Sequence, residues 1–126
     1  MKEVMTIIRM NKINQTKSAL AQAGISSMHG KECLGRGKGL VNLDVLEGAE
    51  RGYEEAIAQL GNTQRLIPKR MISIVVPDKL VKKVVSAIIS ANWTGKAGDG
   101  KIFVMPVDEA IRIRTGEAGD ETLDEA

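Results

Sequence analysis

The order in which strand-like and helix-like segments recur along the chain admits few folds. Val4 to Arg9 is short and β-branched, which predicts a strand with most of both faces covered. Asn11 or Asn14 is placed to cap a following helix, in which Ile13, Ala19, Leu20 and Ala23 fall on one side and Gly24 supplies a left-handed stop. A second strand, poor in alternation, is expected from Met28 to Leu34. After a long gap the pattern repeats. Met71 to Val76 is a clear strand ended by Pro77. Asp78 is placed to cap a helix with apolar pairs Leu80/Val81, Val84/Val85 and Ile88/Ile89, with Lys79, Lys82, Lys83 and Ser86 on the solvated side. Ile102 to Val107 closes the series as a strand.

Two βαβ halves of this size most simply make an α+β, ferredoxin-like split-βαβ sandwich, in which two helices cover one face of a four-stranded antiparallel sheet. The other face then needs a partner. A core of roughly 80 residues buries little surface alone, so self-association is expected. Residues 36–66 do not belong to the core, and connections of about thirty residues are usually functional or disordered. Within them, Glu50 to Leu60 has the spacing for a helical turn or two, with Tyr53, Ile57 and Leu60 on one side.

Charge divides the chain further. The net charge is +2, too small for strongly electrostatic nucleic-acid binding. Residues 41–64, however, carry five acids against Arg51 alone, and residues 115–126 carry five acids and no base, which leaves +11 on the remainder. A basic body points to an anionic ligand. With only Phe103, Tyr53 and Trp93 aromatic, a base-stacking platform for single strands is excluded. Cys33, the single cysteine, has no disulfide partner in the chain, which fits a reducing cytoplasm, and no apolar run reaches the length of a membrane span.

Six of the thirteen glycines lie in Gly35-Arg36-Gly37-Lys38-Gly39 and Gly95-Lys96-Ala97-Gly98-Asp99-Gly100-Lys101. Glycine admits an anion close to backbone N–H groups, and the interspersed cations supply charge, so both clusters have the character of phosphate cradles. The second matches the glycine and Gly-Lys spacing of a P-loop, but Ile102 stands where a hydroxyl should bind magnesium, and a strand rather than a helix follows. A P-loop NTPase is excluded. In Ala110 to Arg114 a period of two is expected to turn Ile111 and Ile113 inward and bring Arg112 and Arg114 out side by side, suited to phosphate oxygens. Lys69, where the long connection rejoins the core, is a further candidate cation. His29 and Cys33 lack the partners of a nucleophile or general base, and no side-chain cluster has metal-ligand spacing, so a ligand-binding sensor is favoured over an enzyme.

Thr94 to Val104, followed by Ile111-Arg112-Ile113-Arg114-Thr115-Gly116-Glu117, resembles the C-terminal signature of the PII nitrogen-regulatory signal proteins. Ile74 to Asp78 and Ile7-Ile8-Arg9 fit as well, and the likeness covers nearly the whole chain outside residues 40–66. It implies a PII-like domain over residues 1–114, with a T-loop at about 36–66 and a B-loop at about 94–101, and an acidic tail at 115–126. It further implies a cytoplasmic homotrimer, or a heterotrimer with a sister subunit, that binds ATP or ADP and 2-oxoglutarate between subunits, with magnesium.

By position, the resemblance places Ile7, Ser27, Met28 and His29 near base and ribose. It places Gly35, Arg36, Lys38, Gly95, Lys96, Gly98, Asp99, Gly100 and Lys101 around the phosphates, with Arg112 and Arg114 reaching them from the neighbouring subunit. The 2-oxoglutarate residues would be Gly37, Lys38, Gly39, Lys69 and Gly98. Three departures stand out. Gly37 occupies the place of a magnesium-ligating glutamine, so the metal would be held only through its ligands. Ser73 replaces a glutamate that commonly contacts the nucleotide. Arg51 falls near the place of a modifiable tyrosine, with Tyr53 displaced from it, which disfavours uridylylation.

The enlarged loop is most similar to the PII-like regulators encoded beside nitrogenase genes, which implies inhibition of dinitrogenase through loop residues such as Leu43, Glu47, Glu50, Arg51 and Tyr53. Regulation of an ammonium transporter or of glutamine synthetase is the alternative within the family. A small nucleotide-hydrolysing enzyme is the alternative outside it.

Overall fold

Residues 1–37 and 66–125 are described in the computed structural model. They form four strands and two α-helices: β1 (Lys2–Arg9), α1 (Ile13–Gln22), β2 (His29–Gly35), β3 (Ile67–Val76), α2 (Val81–Asn92) and β4 (Lys101–Pro106). The sheet order is β2-β3-β1-β4. β1 runs antiparallel to both neighbours, with Lys2 opposite Val76 and Arg9 opposite Lys69 on one side, and Lys2 opposite Pro106 and Ile7 opposite Lys101 on the other. This is the expected α+β, ferredoxin-like arrangement. The chain divides into two compact units, Met1–Glu32 with Lys69–Ala126, and Cys33–Pro68. In the second, the described residues are 33–37 and 66–68. The helical turn expected within Glu50 to Leu60, and the candidate residues Lys38, Gly39, Leu43, Glu47, Glu50, Arg51 and Tyr53, lie outside the described residues.

The strand period of two decides what is buried. Val4, Thr6 and Ile8 of β1 and Ile72, Ile74 and Val76 of β3 point to the helical layer and are buried. Leu20 of α1, Ile25, and Val84 and Ile88 of α2 close the core against them. Each such apolar side chain contributes about 1.5–3 kcal/mol by leaving water. The alternate residues Glu3, Met5 and Ile7 face the opposite side of the sheet. Their register partners Val75, Ser73 and Met71 on β3, and Met105, Phe103 and Lys101 on β4, share that side. No helix among the described residues covers this face.

Two polar side chains are fully enclosed between the helices. Thr16 donates through Oγ1 to the Lys12 carbonyl at 2.7 Å, and Asn92 donates from Nδ2 to Thr16 Oγ1 and to the Ile88 carbonyl, both at 2.9 Å. They join the last turn of α2 to the first turn of α1.

Both expected side-chain caps are absent. A 3-10 turn, Met10–Lys12, leads directly into α1, so the N-cap position falls on Lys12 in helical geometry and neither Asn11 nor Asn14 folds back. The turn Asp78–Leu80 does the same for α2. Asp78 instead meets the amino group of Met1 at 3.1 Å, and that hydrogen bond holds its carboxyl below the usual carboxylate range. Gly24 provides the left-handed stop after α1 at φ +83°. β3 begins earlier than expected, taking in Pro68. Pairing with β1 starts only at Lys69, so the missing proline N–H costs no bond to β1.

Candidate functional site

The loop between α2 and β4 is built around one carboxylate. Asp99 Oδ2 accepts the backbone N–H groups of Thr94 at 2.8 Å and Gly95 at 3.0 Å. Its Oδ1 accepts the Thr94 hydroxyl at 2.5 Å and Arg9 Nη1 at 2.7 Å. Arg9, the last residue of β1, also donates from Nη2 to the Ala97 carbonyl at 3.1 Å. The Thr94 hydroxyl and N–H, helped by Arg9 and the Gly95 N–H, hold the Asp99 carboxyl far below the usual carboxylate range. Asp99 thus organises the loop, with its oxygens already occupied by loop and strand donors.

Gly98 and Gly100 have φ of +97° and +109°. A Cβ on Gly100 would lie 2.1 Å from the Ile7 carbonyl oxygen, and one on Gly98 would lie 3.2 Å from Arg9 Nη2. Close backbone approach therefore excludes a side chain at residue 100. The N–H groups of Ala97, Gly98 and Gly100 have no acceptor among the described residues. Lys96 and Lys101 are exposed at either end. Successive free N–H groups at a glycine-rich turn, flanked by ammonium groups, form a concavity that fits phosphate oxygens. Thr6 Oγ1 fixes the far end by donating to the Lys101 carbonyl at 2.9 Å. Beneath the loop a largely apolar cavity of about 430 Å³ opens between α2 and β4, so the loop keeps its shape through this hydrogen-bond set rather than through packing.

The chain matches the family Nitrogen regulatory protein P-II over residues 1–117. It belongs to that family. Among relatives, it is 47% identical over 123 residues to a protein of Methanothermobacter marburgensis named "Nitrogen fixation nifHD region GlnB-like protein 2", an overlap of 98% of this chain and 100% of that one. It is 46% identical to the protein of the same name from Methanothermococcus thermolithotrophicus, over 95% and 96% of the two chains. It is 37% identical to the "Nitrogen regulatory protein P-II" of Cereibacter sphaeroides, over 98% and 100%.

As a P-II family member the chain brings some of its candidate residues together and separates others. Gly95, Lys96, Gly98, Asp99, Gly100 and Lys101 form the single loop just described, and Ile7 lies against it, opposite Lys101 on β1. Lys69 is half-buried opposite Arg9. Met28 packs against the core and His29 opens β2, exposed. Gly35 ends β2, and Arg36 and Gly37 follow it, exposed. Ser73 donates its hydroxyl to Glu3 on the neighbouring strand at 2.5 Å, so a carboxylate stands beside it at this part of the sheet. Among the described residues no three His, Cys, Asp or Glu side chains are grouped to hold a metal ion. The donor set therefore fits an anion, and fits a divalent cation only as something the anion brings. No helix among the described residues is long and apolar enough to cross a membrane.

The expectation for Ala110 to Arg114 needs correction. Ile111 and Ile113 are 61% and 100% exposed rather than inward. Residues 113–115 turn, the Gly116 N–H closing on the Arg112 carbonyl at 2.7 Å and the Arg112 N–H on the Glu117 carbonyl at 2.8 Å. A turn cancels the alternation of an extended strand, so Arg112 and Arg114 do not emerge as a matched pair. Arg112 is half-buried, with Nη1 3.6 Å from Glu117 and Nη2 3.5 Å from the Glu121 and Thr122 carbonyls.

Reading the sequence missed Arg9 and Thr94 as organisers of the loop. It also left open where the acidic tail goes. Glu125 Oε1 accepts the N–H groups of Ser26 and Ser27, each at 2.8 Å, and the Ser26 hydroxyl at 3.0 Å, while Asp124 accepts the Ser27 hydroxyl.

Proposed function

We propose that this P-II family chain is a non-catalytic nitrogen-status sensor that binds ATP or ADP and 2-oxoglutarate between the subunits of a trimer. The loop Thr94–Lys101 carries the reading: its shape is fixed in advance by Arg9 and Asp99, and its remaining N–H groups are left to an anion. In this reading those groups and Lys101 meet the nucleotide phosphates, Ile7 and the Ser27–His29 segment meet base and ribose, and Lys69 pairs with a 2-oxoglutarate carboxylate. Magnesium would arrive with the phosphate and 2-oxoglutarate and supply charge neutralisation there, because Gly37 offers no side-chain oxygen to hold it. The open sheet face supports a trimer, in which two further copies cover Met5, Ile7 and Phe103.

The output is inhibition of dinitrogenase by direct contact through residues 36–66, relieved when ATP and 2-oxoglutarate select another state of that segment. The names of the methanogen relatives, which refer to a nitrogen-fixation region, favour this output over control of an ammonium transporter or glutamine synthetase. Coupling requires that the ligands bind the two states with different affinity.

Calorimetric titration of ATP with and without 2-oxoglutarate and magnesium tests the sensor. Each ligand is expected to tighten the other by the same factor, and independent binding would overturn the coupling. Sustained ATP hydrolysis abolished by Lys101→Ala, with nucleotide binding retained, would replace the sensor with an enzyme. Recovery of a transporter instead of dinitrogenase from nitrogen-fixing cells would replace the output.

A further inference from the structure

The acidic segment after Arg114 does more than add charge. Its carboxylates and carbonyls engage two residues that the proposed nucleotide sites use, Ser27 in the chain's own site and Arg112 in the site it shares with a neighbouring subunit. At the α1–β2 connection the N–H groups of Ser26 and Ser27 and the Ser26 hydroxyl converge on the single oxygen Oε1 of Glu125, while the Ser27 hydroxyl turns to Asp124. Adjacent N–H groups aimed at one oxygen make an anion-binding concavity, filled here by the chain itself. Closer to the body, Glu117 lies 3.6 Å from Arg112 Nη1, and the Glu121 and Thr122 carbonyls take up Nη2 at 3.5 Å. Thr122 steadies the path by donating to the Gly119 carbonyl at 2.8 Å and to the Ala110 carbonyl at 3.5 Å.

We propose that residues 117–125 are an internal competitor, a tethered pseudo-ligand that occupies the Ser26–Ser27 donors and Arg112 until a nucleotide displaces it. The inference rests on the nucleotide reading above and adds a regulated threshold to it. Two features suit the contact to reversal. It is made at the chain's surface by a short tether, so it forms readily through high effective concentration and buries little apolar area. Moreover, Glu125 Oε2 is shut off from water without a hydrogen-bond partner, an uncompensated cost that release recovers. One oxygen of the carboxylate holds the tail in place and the other favours its departure. A nucleotide at this chain's Ser26–Ser27 brings hydroxyl groups for the serine donors, and the nucleotide of the adjoining site, which Arg112 reaches, brings phosphate for the guanidinium, so filling both sites replaces both sets of contacts.

The consequence is quantitative. A site open for a fraction of the time binds with an apparent Kd raised by the inverse of that fraction, so a tail seated in about nine chains out of ten weakens ATP binding about tenfold. The test compares ATP titrations, by calorimetry at one ionic strength, of the full chain, of the Asp124→Ala/Glu125→Ala variant, and of a chain ending at Leu123. Both altered forms are expected to bind ATP about tenfold more tightly. In parallel, amide resonances of Ser26 and Ser27 should shift in the variant without nucleotide, and saturating ATP should move the Asp124 and Glu125 amides of the full chain to disordered-peptide positions. Equal or weaker ATP binding by the altered forms overturns the competitor while leaving the nucleotide site standing. Tail resonances that stay put at saturation also overturn it. Failure of all three forms to bind ATP overturns both readings together.

Discussion

The Arg9 guanidinium donates to Asp99 Oδ1 at 2.7 Å and thereby ties the end of β1 to the loop that precedes β4. Because the same carboxylate takes the N–H groups of Thr94 and Gly95, one side chain sets both the path and the polarity of the loop. Asp99→Ala is expected to weaken ATP binding about tenfold or more, as the free N–H groups lose their common direction, while the melting temperature falls by only about 2–4 °C. Calorimetry and thermal unfolding of the same sample separate the two effects.

A pH dependence follows from the depressed Asp99 carboxyl. A carboxylate whose pKa is lower in the folded than in the unfolded chain contributes stability that is complete above the unfolded value, about 3.9, and is lost as pH falls toward the folded one. The difference in melting temperature between the parent chain and Asp99→Asn should therefore be constant from about pH 5 to pH 8 and shrink below about pH 4. A difference that grew on acidification would contradict the hydrogen-bond pattern around Asp99.

Gly100 marks the point where the loop touches β1. An added methyl group would meet the Ile7 carbonyl oxygen at 2.1 Å on a backbone with φ +109°, so Gly100→Ala must displace strand or loop. We expect a loss of about 3 kcal/mol in urea unfolding together with loss of ATP binding. Gly24→Ala serves as the comparison, since its positive φ faces open space; about 1 kcal/mol is expected, with ATP binding intact.

Much of the fold was legible because burial here follows simple periods. Short β-branched runs marked β1 and β3, and a four-residue apolar stripe marked α2, although β1 buries only alternate residues rather than both faces as its composition suggested. What escaped were polar residues whose meaning depends on a distant neighbour. Thr16 and Asn92 interrupt the apolar stripes of their helices, four residues from Leu20 and Ile88, and their meaning as a hydrogen-bonded pair shows only when the two helices are brought together. Arg9 reads as the polar end of a strand until β4 and its loop are placed beside β1. The Arg112–Arg114 pattern misled for the opposite reason, since alternation predicts facing only where the chain stays extended, and here it turns. In the loop itself, glycine and lysine spacing identified the place for an anion, but the clasp that shapes it came from outside the motif.

The buried pair between the helices gives a thermodynamic cycle. Asn92→Ala removes the donor to Thr16 and leaves a void, for an expected loss of about 3 kcal/mol, and Thr16→Val strands the Asn92 amide, for about 2 kcal/mol. Since both changes delete one hydrogen bond, the double variant should lose about 1 kcal/mol less than the sum. Strict additivity in urea unfolding at fixed protein concentration would mean that the two side chains act independently.

The open face of the sheet supplies the remaining prediction. Met5, Ile7, Met71, Val75, Phe103 and Met105 share that face by register, and Phe103 leaves 44% of its surface in water. An apolar face opposite the helices is costly for an isolated chain, and self-association that covers it removes the cost. Phe103→Asp places a charge on that face at the edge strand β4, where burial against another copy without a partner for the charge is strongly unfavourable. Sedimentation velocity should find a trimer for the parent chain and a monomer for the variant, with the monomer's circular dichroism unchanged because Phe103 lies outside the helix-covered core. ATP binding should fall with the trimer, since the proposed site takes Arg112 from a neighbouring subunit. A variant that remained trimeric would place the interface on another surface.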